Sequence, residues 1–218
     1  MRSIISTLIL VSLVVIEQGC TSVNQPSVIP VKLALLQTGS VSNTPSSSSS
    51  GELRLPIDRT LERVTKKAFW LKVSPGHSPI SPERFAGYHT WMDFETFPSE
   101  ENDDISIYAI CTGPLILKKL ATGYGGVVVQ QCQIEGQEVT IIYGHLKLKS
   151  ITTMIHSVIE SGQKIGILGK GFSQETYGER KHLHLGIHKG TRINIQGYTS
   201  TQAELWQWID PMKYFNKQ

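Results

Sequence analysis

The sequence predicts an all-β dominated domain: an antiparallel, barrel-like sheet with one short helix at its C-terminal end. Three observations predict it. Short β-branched or apolar runs recur between Gly, Pro and Asn, a strand near Leu185 alternates His with aliphatic residues, and one helix-capping pattern stands near the end of the chain.

Taken in order, residues 1–20 read as an export signal. Arg2 supplies the positive start, and residues 4–16 form an apolar run of about thirteen, the length of a signal core and short for a membrane span. Gly19-Cys20 resembles the lipobox of bacterial lipoproteins, although Glu17 stands where that motif prefers an aliphatic residue. Lipidation of Cys20, ordinary cleavage nearby and an uncleaved short anchor all remain open. Residues 21–51 are a Ser-rich flexible linker with little to bury, and about thirty such residues reach roughly 30 Å. Residues 52–80 form an N-terminal extension of the domain proper, which occupies 81–218.

Within the domain, Ser81-Pro82-Glu83-Arg84 carries a helix-start pattern and predicts a brief helical turn. Residues 105–110, 126–134, 139–143 and 164–168 predict strands, and Glu135-Gly136-Gln137 predicts a hairpin loop between two of them. Thr201-Gln202-Ala203-Glu204 is a capping box before Leu205, Trp206, Trp208 and Ile209, so one short helix should end before Pro211. With Cys20 in the leader, Cys111 and Cys132 are left on predicted strands of an exported protein, either as a disulfide or as two buried thiols.

The 21 basic and 18 acidic residues leave a net charge of +3, too mild to imply a nucleic-acid partner, and no block of like charges occurs. Gly125-Gly126 is not followed by the lysine and hydroxyl of a phosphate loop. His77, His156 and His188 have no partner motif: His188 shares a face with His184 but lies roughly 13 Å along an extended strand.

Chemistry concentrates in three places. In Lys181-His182-Leu183-His184-Leu185-Gly186-Ile187-His188 an extended backbone puts the imidazoles on one face and the aliphatic residues on the other. His89 and Asp93, four apart, share a side in a helix or a strand, and imidazole and carboxylate both suit Zn²⁺. A further histidine stands in Tyr143-Gly144-His145-Leu146. No HExxH occurs to supply a glutamate base, which leaves histidines as the candidate proton acceptors.

An HxxxD, a YxHL-like segment and an HxH in this order resemble the lysostaphin-type zinc metallopeptidases, which cut peptides of bacterial peptidoglycan. The resemblance runs from about Ser81 to Phe215. It includes the glycine turn Gly123-Tyr124-Gly125-Gly126, the stretch from Ser161 to Gly169, and the closing Asp210-Pro211-Met212-Lys213-Tyr214. It implies one Zn²⁺ per chain on His89, Asp93 and His184, and His145 and His182 as catalytic histidines, one a base and the other an oxyanion stabiliser, without saying which. A peptidoglycan peptide is the implied partner, at the cell envelope, with a membrane tether through the N-terminus. Some relatives of this fold are noncatalytic regulators of other cell-wall hydrolases, so a binding role stands as the alternative. Two departures appear: Trp91 replaces a usual glycine, and Leu185-Gly186 replaces an aromatic and an acid. If that glycine position needs a positive φ, Trp91 should strain the turn and shift His89, at the expense of rate and substrate fit.

Overall fold

The computed structural model describes residues 53–63 and 65–216. The export signal and the linker lie outside them. Among the described residues twelve strands follow in order: β1 (Lys72–Val73), β2 (Gly87–His89), β3 (Met92–Glu95), β4 (Ser106–Tyr108), β5 (Gly113–Ala121), β6 (Gly125–Ile134), β7 (Gln137–Gly144), β8 (Val158–Ile159), β9 (Lys164–Ile167), β10 (His182–Lys189), β11 (Tyr198–Thr199) and β12 (Trp208–Ile209). A single α-helical turn, α1 (Met212–Phe215), closes the described chain.

The main sheet has the order β12-β10-β7-β6-β5-β8, every pair antiparallel. The free edge of β10 is shared: its first half pairs with β3 and its second half with β12. The small sheets β1-β2-β11 and β4-β9 complete the fold. Between β6 and β7, Glu135 (φ 50°) and Gly136 (φ 78°) both take left-handed conformations, the two-residue turn that matches the twist of a tight hairpin.

Register sorts the side chains. Leu183, Leu185 and Ile187 of β10 face the same side as Met92 and Phe94 of β3, Ile141 and Tyr143 of β7 and Val128 of β6, and all are buried in the principal core. Burial of each such side chain is worth about 1.5–3 kcal/mol. The opposite face carries a smaller cluster of Trp91, Val127, Val129, Ile142 and Trp208.

Four expectations need correction. Residues 81–84 form no helical turn: the Glu83 carboxylate accepts the backbone N–H groups of Arg84 and Phe85 and is drawn inward by Lys67 and Ser78, so those donors are satisfied without a helix. The capping box does form, but it starts a 3₁₀ helix (Gln202–Gln207). Trp208 and Ile209 pass into β12, and the α-helical turn comes after Pro211, not before it. Strand β5, nine residues long, was not signalled, because Pro114 and the partly exposed Lys118-Lys119 break the apolar pattern. Cys111 sits in the bend before β5 rather than on a strand, and it is disulfide-bonded to Cys132 of β6.

Candidate metal centre

The site assembles where β3, β10 and β7 lie side by side. His184 is the Cα partner of Asp93 on one flank and of Gly144 on the other, so Asp93 and His184 project from the same face. His89 arrives from β2, one short connection ahead of β3, and is held by backbone bonds from its N–H to Leu71 O and from Trp70 N–H to its own carbonyl. His145 follows β7 with φ 62°. That left-handed turn is secured by hydrogen bonds from His145 N–H to Tyr124 O and from Gly169 N–H to His145 O.

Three donor atoms converge. His89 Nε2 lies 2.8 Å from His184 Nε2, and each lies 3.6 Å from Asp93 Oδ1. Zinc–ligand bonds of about 2.0–2.2 Å at tetrahedral angles separate donors by about 3.3 Å, which these spacings bracket. Asp93 Oδ1 is buried and, among the described residues, has no hydrogen-bond partner. A buried carboxylate oxygen left bare is costly unless a cation meets it, so the donor set fits a metal ion. His89 Nδ1 faces Ala68 O at 3.1 Å. Because a carbonyl only accepts, Nδ1 carries the proton and Nε2 keeps its lone pair for a ligand.

A second group, His145, His182 and His184, also brings three nitrogens within 4.8 Å. It has no carboxylate to balance a dication, and His182 and His145 lie beside the first group as companions, their ring centroids 4.4 Å apart. His182 Nδ1 donates to Arg180 O at 2.9 Å, so its Nε2, 3.4 Å from Asp93 Oδ2, is the free acceptor. Tyr124 and Tyr198 wall the cleft above these rings.

Burial sets the charge states. It lowers His89 to about 4 and holds His145 and His184 well below the usual imidazole value, which keeps all three neutral near pH 7. For Asp93 burial pulls upward, but His182, His184 and His89 outweigh it and the carboxyl stays well below its ordinary value.

Residues 88–195 match the profile of peptidase family M23. The domain belongs to peptidase family M23. Similar solved structures include LytU, 17% identical, with 71% of this chain and 86% of that one covered at TM-score 0.49. Helicobacter pylori Csd3 is 21% identical over 69% of this chain and 35% of its own, at TM-score 0.44. A zinc-containing peptidase from Vibrio cholerae is 20% identical over 64% and 37%, at TM-score 0.45. The present chain thus spans little more than a third of the latter two. No curated protein matches the sequence.

All five histidine and aspartate positions singled out for the M23 motifs meet in this one place, while His188 packs edge-on against Trp208 away from it and His77 and His156 are exposed. Trp91 is not among the described residues with positive φ, so the expected strain at that turn is absent. Instead the indole fills space over β10: a Cβ at Gly186 would stand 2.7–2.8 Å from its ring atoms. The two departures of this M23 domain therefore compensate each other, the large residue at 91 occupying what a side chain at 186 would need. Trp91 stacks on Tyr124 at 4.8 Å and tilts against His184 at 4.3 Å, so the indole buttresses a candidate ligand. Sequence reasoning missed the supporting groups, Ala68 O, Arg180, Glu95 and the Lys67–Tyr198 pair (2.7 Å), because none belongs to a motif and each comes from a distant segment.

Proposed function

We propose that the M23 domain is a zinc metalloendopeptidase that hydrolyses peptide bonds in bacterial peptidoglycan. The observation that carries this reading is the bare, buried Asp93 Oδ1 facing His89 Nε2 and His184 Nε2, with two more imidazoles at its side. A zinc ion held there supplies Lewis acidity and lowers the pKa of a coordinated water toward 7.

The chain's own groups take the remaining roles. His182, protonated at Nδ1 by its bond to Arg180 O and flanked by Asp93, accepts the proton of the attacking water at Nε2. His145, kept neutral by burial, offers an N–H to the developing oxyanion. Export through residues 1–20 and tethering at Cys20 belong to the same proposal and rest on sequence alone.

The test is metal content and clearing of purified peptidoglycan suspensions, with and without a chelator. One zinc per chain with chelator-sensitive clearing is expected. Stoichiometric zinc without clearing would favour the binding or activating role, and absence of zinc would overturn the enzyme reading. A palmitate analogue should label the protein in cells, and labelling that survives Cys20→Ala would reject the tether.

A further inference from the structure

We propose that Arg180 is a positioning residue that commits Asp93 to the metal through one oxygen, with Glu95 as the anchor that holds Arg180 in place. The inference rests on the metal-centre reading above. Arg180 Nη2 donates to Asp93 Oδ2 at 2.7 Å, and the same guanidinium grips Glu95 through Nε (2.9 and 3.1 Å) and Nη2 (2.5 Å). Asp93 and Glu95 are two apart on β3 and so project from one face, where a single planar fork can bridge both. The arrangement is enclosed: the side chains of Asp93, Glu95 and Arg180 are 0%, 10% and 12% exposed.

Three consequences follow from that geometry. First, a carboxylate free to turn can offer both oxygens to a cation. With Oδ2 held by a charge-assisted bond, chelation through both would require breaking it, and Oδ1 alone is left bare toward His89 and His184. Second, a lone guanidinium beside a dication would weaken cation binding. Glu95 cancels that charge, so Asp93 keeps its full negative charge for the metal. Third, Arg180 stands two residues before His182, the first residue of β10, and its carbonyl fixes the tautomer of His182. One residue therefore orients a ligand by its side chain and the proposed base by its backbone, and only the first function depends on its identity.

The test uses the full-length chain and its Arg180→Ala, Arg180→Lys and Glu95→Gln variants. Zinc affinity is measured by competition with a chromophoric chelator, and the visible spectrum is recorded after cobalt substitution. Arg180→Ala should bind zinc about 10–100-fold more weakly, the usual effect of removing a group that orients a metal ligand. Its cobalt bands should lose intensity as Asp93 turns to offer both oxygens and the coordination number rises above four. Arg180→Lys, a point charge without the fork, should recover part of the affinity but not the spectrum. Glu95→Gln, nearly isosteric, keeps the test available should Arg180→Ala fail to fold, and it should weaken zinc binding in the same direction. Lower urea stability with unchanged zinc affinity and an unchanged cobalt spectrum would show a merely structural arginine and overturn the inference. Wild-type protein that binds no zinc would overturn the metal reading and this inference with it, so the two failures are told apart.

Discussion

On one face of β10, Leu183, Leu185 and Ile187 are sealed into the principal core. On the other, His182, His184 and His188 are almost as deeply buried yet meet imidazoles, a carboxylate and an indole. Depth of burial therefore does not distinguish the two faces; what differs is whether the buried atoms are satisfied. The aliphatic face is complete in itself. The imidazole face leaves Asp93 Oδ1 bare, and an unsatisfied buried polar group of that kind costs about 1–3 kcal/mol. A bare, buried carboxylate oxygen is what the proposed metal would satisfy.

The contrast breaks most sharply by substitution on the imidazole face. His182→Ala should keep one zinc per chain while turnover falls about 10²–10⁴-fold, the range for a lost general base. His184→Ala should lose zinc and turnover together. Equal zinc loss in the two variants, measured by metal analysis after dialysis, would refute the separation of ligand from base.

One residue along, Leu185→Ala tests the other face. Removing a fully buried leucine should cost about 2–5 kcal/mol in urea unfolding while the folded fraction keeps its zinc affinity. A large loss of affinity there would show that the faces are not independent.

The last effect is on pH. In the metal-free protein His89 titrates near 4, and His145 and His184 are also lowered by burial, whereas the unfolded chain takes up these protons near 6.5. The unfolded state then binds more protons in this window, so stability is full above 6.5 and declines as pH falls toward 4. The slope is about 1.4 kcal/mol per pH unit for each histidine while it stays unprotonated in the folded state. Urea midpoints of chelator-treated protein at pH 7.5, 6 and 5 measure it. A flat profile would mean that the folded imidazoles titrate normally.

Much of this was legible in the order of residues. Alternation in 182–188 gives β10 and its two faces, because side chains on an extended backbone point alternately. The hairpin at Glu135-Gly136 was legible for a similar local reason. Where local signals misled, long-range contacts prevailed: Glu83 answers to Lys67 and Ser78 rather than to a helix, and β5 is a strand because β6 pairs with it, despite Pro114 and two lysines.

The candidate ligands His89, Asp93 and His184 and their companions His145 and His182 could be picked out from spacing and family resemblance, since the types of donor atom are a property of composition. Their approach to bonding distance, the tautomers set by Ala68 O and Arg180 O, and the clasp of Arg180 between Asp93 and Glu95 were decided only by tertiary structure. So was the exchange of bulk between Trp91 and Gly186. Those features join segments scores of residues apart along the chain, and only strand pairing and packing bring such segments to within hydrogen-bond reach.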